Sequence, residues 1–409
     1  MKILVLNAGS SSHKSSLFDL RQSACLSPPS IPVWRASLDW THSQGEVELT
    51  AHRADGARLQ QVLPLRDQTA GLVALVHTLI EGPTQILEEL GEIVAVGHRV
   101  VHGGRDYRHW VLIDEKVKAA IRRLTPLAPS HNPANLHGIE AMEAILPGVP
   151  QVAMFDTAFH TTLPEAAAVY PGPYDWLEQG IRRYGFHGIS HGYVAQRAAA
   201  LMKKPLESLK ILSCHLGNGC SLAAIRNGAS VDTTMGFTPL DGLMMGSRCG
   251  SLDPGILIHL IRQFGYGADQ LDHLLNRQSG LKGISGLSND LRRVVEAMEQ
   301  GDHRAQLALE VFMHRLRREM GAMVASLRGL DVLVFTAGMG ENSPLIWRWA
   351  CESFGYLGLK LRGDDLKPSP QDQDIAAADS QVRVWVIHTQ EEWAIAQACV
   401  ALIQSSVSG

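Results

Sequence analysis

The sequence contains no apolar run approaching the roughly 18 residues that a membrane-spanning helix needs. Its start, Met1 to Leu6, passes at once into Asn7 and Gly9, which reads as a chain without a signal peptide. Cysteine is scarce and scattered: Cys25, Cys214, Cys220, Cys249, Cys351 and Cys399 form no C-x-x-C pair. That argues against a disulfide framework and a zinc ribbon, and points to a reducing cytoplasm. Neither charge sign is in excess, with 37 basic against 41 acidic side chains and a formal net charge of -4. Such a balance gives no general attraction to nucleic acid or to an anionic membrane, and favours a small-molecule partner. Also missing are G-x-x-x-x-G-K-[ST] and a strand-led G-x-G-x-x-G with its acidic partner, which disfavours P-loop and Rossmann readings. An apolar content of 45% excludes disorder, and 409 residues suffice for two or three domains at about 100–200 residues each.

Runs of β-branched and leucine residues ending in glycine-rich turns recur at KILVLNAGSSS (2–12), IVAVGHRVVHGG (93–104), KILSCHLGNGCS (210–221) and VLVFTAGMGEN (332–342). Each reads as a buried strand entering a tight loop. Helical periodicity lies between them, at 115–124, at 190–202 and around 304–327, with Ser190 and Ser288 at expected N-cap positions. The class is therefore α/β. Lys2-Ile3-Leu4 and its NAGSSS turn match Lys210-Ile211-Leu212 and LGNGCS at a constant offset, Gly9 over Gly217, and each turn re-enters an apolar stretch. A hairpin found twice suggests two similar domains from a duplication. The polar segment from about Ser23 to Glu89 reads as a peripheral insertion of strand and helix that contributes nothing to a site.

Turns of Gly, Ser and Asn bring backbone N–H groups together into concavities that bind phosphate oxygens, and three such turns, at 7–12, 217–221 and 338–342, each close a buried strand. Arg99, Arg248 and Arg292 stand beside glycine-rich turns. A guanidinium embedded in an apolar run is costly unless an anion answers it, and its planar fork suits carboxylate or phosphate. Asp156 after an apolar run and Glu391-Glu392 at the start of the last helix are the acidic candidates. They read either as cap or surface residues or, beside phosphate-binding turns, as holders of Mg²⁺, with Asn7 joining them. The spacing of GHRVVH and FHGISH resembles paired metal ligands, but no third ligand is marked and zinc is disfavoured. His131, His187 and His215, flanked by turns, read as donors to phosphoryl oxygens.

NAGSSSHKSSLF, GHRVVHGG, LAPSHNPANLHGI, VAMFDTAFHTTLP, RRYGFHGISHGYV, HLGNGCS, DTTMGFTPLDGLMMGSRCGSLDPG, SGLSNDLR, FTAGMGENS and TQEEWAIA run in one order from Asn7 to Glu392. Together they closely resemble the acetate kinase family, which includes the propionate kinases. The resemblance implies the duplicated, ribonuclease H-like α/β fold of acetate kinases, sugar kinases, Hsp70 and actin, with an interdomain active-site cleft. The expected domains are 1–155 with 392–409, and 156–391. The implied reaction is reversible transfer of the ATP γ-phosphoryl group to acetate, giving acetyl phosphate and ADP, with Mg²⁺ or Mn²⁺, in a cytoplasmic homodimer.

Carried over residue by residue, the resemblance implies Arg99 and Arg248 on the carboxylate and the migrating phosphoryl group, with His187 as a transition-state donor. Asn7, Asp156 and Glu391 would organise the metal. Ser10, Ser12, Lys14, His215, Leu216, Gly217, Asn218 and Gly219 would cradle phosphates. Asp290, Leu291, Arg292, Gly338, Met339, Gly340, Glu341 and Asn342 would line the adenosine site, and Val101, Ser130, Phe186 and Pro239 the acyl pocket beside Arg99. A carboxylic acid with a pKa near about 4 is already ionised at neutral pH, so Asp156 is expected to serve the metal or orient Arg248 and not to remove a proton.

The sequence departs from the family at several positions. Ser130 replaces a usual leucine, which implies a roomier acyl pocket and access for propionate or a more polar acid. Leu291 replaces a usual phenylalanine, leaving nucleotide preference open, and His13, Cys249 and Ser251 also differ, with Cys249 expected to make activity sensitive to thiol modification. A metal-dependent hydrolase built on the histidines and a catalytically silent nucleotide-binding regulator remain as other readings.

Overall fold

A computed structural model describes residues 1–9, 11–20, 29–41, 45–363 and 365–407. The chain divides into two compact units, residues 1–158 with 390–409, and residues 159–389. Asp156 and Glu391, both expected in the second domain, therefore belong to the first. The cause is local: the Asp156 N–H donates to the Val100 carbonyl at 2.9 Å, so the chain stays on the first sheet past the end of its strand.

The first unit holds β1 (Lys2–Ala8), β2 (Ser12–Asp19), β3 (Trp34–Asp39), β4 (Val47–Arg53), β5 (Arg58–Leu63), β6 (Ile93–Val100), β7 (Val111–Leu112) and β8 (Gln151–Phe155). They form one sheet in the order β5-β4-β3-β2-β1-β6-β8-β7. β1 is antiparallel to β2 and parallel to β6, which is parallel to β8. The second unit holds β9 (Lys210–Leu216), β10 (Cys220–Arg226), β11 (Ala229–Thr233), β12 (Val332–Thr336), β13 (Gln373–Asp374) and β14 (Arg383–Val386), in the order β11-β10-β9-β12-β14-β13. The segments β3-β2-β1-β6-β8 and β11-β10-β9-β12-β14 share order and direction, so the duplicated KIL hairpins mark a duplicated sheet. β12 is buried at all five positions and β1 at five of seven, the near-continuous apolar pattern of strands covered on both faces.

The segment from Ser23 to Glu89 is not peripheral. Trp34, Leu38, Val47, Leu49, Leu72, Leu75 and Leu79 are fully buried in one core with Leu4, Leu6 and Leu17. Its overall polarity conceals a period-2 alternation, Trp34-Ala36-Leu38 and Val47-Leu49-Ala51 inward, in strands that extend the sheet. On β6, Gly97 lets the terminal helix Glu391–Val407 approach closely, since a Cβ there would stand 2.4 Å from Ile395 Cγ2 and 2.8 Å from Cys399 Sγ. No described helix is long and apolar enough to cross a membrane.

Both expected serine caps are displaced. The helix Gly188–Met202 begins before Ser190, which is fully buried inside it, and Asp290, not Ser288, caps Leu291–Glu299 by accepting from the Arg292 N–H at 2.9 Å.

Candidate active site

In the first unit the side chains expected at the site gather where β1, β6 and β8 end. Asn7 and Arg99 stand one residue before the ends of β1 and β6, and Asp156 follows β8 directly. Arg99 donates to Asp156 through Nε at 3.2 Å and Nη2 at 2.5 Å, and to Asn7 Oδ1 through Nη1 at 3.4 Å. Burial alone would lower the Arg99 pKa, but the charges of Asp156 and Glu391 outweigh it and hold the guanidinium more firmly protonated than usual. The guanidinium that Asp156 orients is thus that of Arg99, a correction to the expected pairing with Arg248. Glu391 Oε1 is buried and has no hydrogen-bond partner among the described residues.

Two asparagines that sequence reasoning left without a role fix the turn after β6. Asn135 Oδ1 accepts from the Val101 N–H at 3.0 Å while its Nδ2 donates to the Ala8 carbonyl at 2.7 Å; Asn132 spans the His102 backbone with two bonds of 3.2 Å. Their signal was the N-P-A-N spacing at the start of the helix Asn132–Ile145, which places residues i and i+3 on one face. Lys14 is exposed opposite Asn7 in the β1–β2 ladder, Ser12 opens β2, and Gly9 and Ser12 close a tight turn at 2.9 Å. Ser10 lies outside the described residues. Val101 is buried and Ser130 is exposed. The His13 ring is buried edge-on against Trp40, centroids 5.1 Å apart, which gives this departure from the family a packing role.

In the second unit, His187 adopts a left-handed backbone, φ 56°, at the entry to Gly188–Met202. A non-glycine residue there is strained, and the surroundings hold it: neutral, buried His160 donates from Nε2 to the Phe186 carbonyl at 3.0 Å, and Arg183 ties the Thr233, Thr234 and Met235 carbonyls. The His187 ring stacks on that of His215, centroids 4.0 Å apart and 18° from parallel. Gly219 passes close by, where a Cβ would sit 3.3 Å from His187 Cε1 and 3.4 Å from Arg248 Nη1. Arg248 is half-buried and its Nη1 donates to the Pro239 carbonyl at 3.3 Å, with no carboxylate partner among the described residues. Burial, with Arg277 nearby, lowers its pKa.

Beside this cluster a pocket of about 830 Å³, within the range of small-molecule sites, is lined by Gly217, Asn218, Asp290, Leu291, Arg292, Gly338, Met339 and Asn342 from the expected set. Asn289, Val295, Glu296, Glu299, Ser343, Pro344 and Leu345 complete it; Val295, Glu296 and Glu299 lie one and two turns along from Leu291 on the same helix. Leu216, Gly219, Gly340 and Glu341 do not line it. Glu341 Oε1 instead accepts from the Ala337 and Thr389 N–H groups at 2.8 and 3.0 Å, pinning the turn after β12. Arg292 is not embedded: it is exposed and paired with Asp290 at 2.7 Å.

The paired histidines are occupied with hydrogen bonds, His98 to Gln151, His102 to the Gly104 N–H, and His187 and His191 to Ser221. Among the described residues no group of three His, Cys, Asp or Glu side chains is arranged to hold a metal. Burial pushes the Cys249 thiol up, and Sγ donates to the Gly250 carbonyl at 3.1 Å, so the thiolate that modification requires is disfavoured.

The chain as a whole is similar to known proteins. The acetate kinase of Trichormus variabilis is 58% identical over 98% of this chain and all of its own. The crystal structure of Porphyromonas gingivalis acetate kinase matches with TM-score 0.91 at 36% identity, covering 98% of this chain and 99% of that one. A propionate kinase from Francisella tularensis matches with TM-score 0.88 at 36% identity, covering 97% and 98%. The acetokinase family profile spans residues 2–397, nearly the whole chain, and the chain belongs to the acetokinase family.

Proposed function

We propose that the protein is an acetate kinase, transferring the γ-phosphoryl group of ATP to acetate in line and reversibly. The observation that carries this reading is Arg248, a half-buried guanidinium with no carboxylate answering it among the described residues, beside the His187 and His215 rings and the glycine turn 217–219. A partly desolvated cation without an anionic partner favours an incoming anion. The pocket bounded by Leu291, Gly338 and Asn342 suits a nucleoside whose phosphates reach that turn.

Two anions must meet, and the carboxylate needs no general base, so catalysis reduces to cancelling repulsion and aligning reactants. Arg248 and His187 donate to the equatorial oxygens of the migrating group, and Arg99, held by Asp156, takes the carboxylate. The donor set fits a divalent cation, because Glu391 Oε1 is buried without a hydrogen-bond partner among the described residues and Mg²⁺ typically takes one or two carboxylates and keeps several waters. Glu391 and Asn7 would hold Mg²⁺, or Mn²⁺, with Asp156 through water. When bound, the metal neutralises phosphate charge.

Propionate is the second substrate reading, favoured by Ser130 in place of leucine and by the likeness to a propionate kinase. A homodimer is supported by the helix Pro254–Phe264, which buries none of its residues and exposes Ile256, Ile258, Ile261 and Phe264. Cytoplasmic location accords with the undisulfided cysteines of the described residues. Hydroxylamine trapping of acyl phosphate, with acetate, propionate and butyrate varied at fixed MgATP, tests reaction and substrate together. Hydroxamate formed most efficiently from acetate is expected, and none from any of the three refutes the proposal.

A further inference from the structure

We infer that Ser221 and Ser190 are positioning residues that fix His187 and His215 as neutral rings carrying hydrogen on Nε2, so that both present N–H donors to phosphoryl oxygens. The inference deepens the proposed phosphoryl transfer and rests on it.

The first relay runs through buried groups. Ser213 Oγ lies 2.8 Å from His191 Nδ1, His191 Nε2 lies 2.8 Å from Ser221 Oγ, and Ser221 Oγ lies 2.9 Å from His187 Nδ1. Burial, with His160 and His215 nearby, pushes the His191 pKa well below its ordinary value, so this ring is neutral. A neutral imidazole has one donor and one acceptor, and a hydroxyl has a single hydrogen to give. Ser213 is fully buried and makes no other hydrogen bond among the described residues. Were the His191 hydrogen on Nδ1, the Ser213 hydroxyl hydrogen would be buried without an acceptor. The arrangement that satisfies every atom has Ser213 donating to His191 Nδ1, His191 Nε2–H donating to Ser221, and Ser221 donating to His187 Nδ1. The remaining hydrogen of a neutral His187 then sits on Nε2.

A second relay reaches the same result independently. Thr389 Oγ1 donates to Ser190 Oγ at 2.9 Å, and Ser190 is fully buried with His215 Nδ1, at 2.8 Å, as the one acceptor for its own hydrogen among the described residues. His215 therefore also carries hydrogen on Nε2. Both Nε2 atoms face the glycine turn, that of His187 at 3.4 Å from the Cβ position of Gly219 and that of His215 at 3.7 Å from the Cβ position of Gly217. Two rings stacked at 4.0 Å would repel if both were charged, whereas neutral rings supply paired donors without that cost.

The test uses full-length enzyme with ¹⁵N-labelled histidine. Long-range ¹H–¹⁵N correlations distinguish the two neutral tautomers from the imidazolium, with assignment by single histidine substitutions. The Nε2–H pattern is expected for His187, His191 and His215 at neutral pH. Ser221→Ala should move His187 away from that pattern and lower kcat on the order of tenfold, with KM for ATP changed less than about twofold. Ser221→Thr, which keeps the hydroxyl, should restore both. An Nδ1–H or imidazolium pattern at His187 in the unmodified enzyme overturns the inference, as does a Ser221→Ala enzyme with pattern and kcat intact. If the unmodified enzyme makes no acyl phosphate, the reaction reading fails separately, and the role toward phosphoryl oxygens falls with it.

Discussion

The two units share a sheet and differ in what stands at its strand ends. By strand register, Asn7, Arg99 and Asp156 of the first unit correspond to His215, Thr336 and Thr389 of the second. Where the first unit has a bidentate ion pair, the second has two threonines gathered by Glu341 Oε1, which accepts from Thr336 Oγ1 at 3.4 Å and from the Thr389 N–H at 3.0 Å. One frame thus carries fixed charge, the other neutral donors with a single unanswered guanidinium brought in from Arg248. A locked cation suits a small carboxylate, whose charge is concentrated. Backbone and imidazole N–H groups suit a nucleotide that must be released, since hydrogen bonds to charged groups contribute only about 1.5–3 kcal/mol each.

The largest expected effects separate the two arginines. Arg99→Ala and Arg248→Ala should each lower kcat/KM by about 10²–10³-fold. Arg99→Ala should also destabilise the fold by about 3–5 kcal/mol, because it breaks a bidentate ion pair with the buried Asp156, while Arg248→Ala removes a cation without a carboxylate partner among the described residues and should leave the melting temperature unchanged or raised. Urea melts beside kinetics decide it, and equal destabilisation by both would break the contrast.

Acid should weaken both units through their buried histidines. Burial pushes His13, His98 and His102 in the first unit, and His160 in the second, to about 4. Their folded pKa lies below the unfolded value, so the unfolded chain binds more protons and stability falls as pH drops from about 6.5 toward 4. At pH 5 the loss should be about 2 kcal/mol per histidine. A denaturation midpoint that is flat between pH 7 and pH 5 would falsify this.

Two glycines sharpen the distinction between frame and site. Gly97→Ala should cost about 1–3 kcal/mol of stability by pushing the terminal helix off β6, with ligand affinity retained at low temperature. Gly219→Ala meets only ordinary or slightly tight contacts, so it should leave the melting temperature nearly unchanged while lowering kcat on the order of tenfold through His187 and Arg248. Ser130→Leu should give the smallest effect, a shift of the acetate-to-propionate kcat/KM ratio toward acetate by less than about tenfold, since Ser130 is exposed. An unchanged ratio removes Ser130 from substrate choice.

Much of the fold was legible because glycine turns punctuate apolar runs: four such segments became β1, β6, β9 and β12, and the repeated KIL hairpin became a repeated sheet. Strand was expected between Ser23 and Glu89, but the burial of the strands from Trp34 to Leu63 escaped notice because their outward residues are polar, and mean polarity hides a period of two. At the site, the residue types were readable but their pairings were not. Asp156 and Arg99 are 57 positions apart, and only the parallel register of β6 and β8 brings them to 2.5 Å.

The sequence alone determined which residues have the chemistry to bind anions, and in what order along the chain they come, because glycine, arginine and histidine carry those properties wherever they stand. Tertiary structure decided which guanidinium is locked and which is unanswered, and turned Ser190 from an expected cap into a buried partner of His215. Charge pairing and hydrogen direction depend on distances across strands and on burial, and neither is a property of neighbours in sequence.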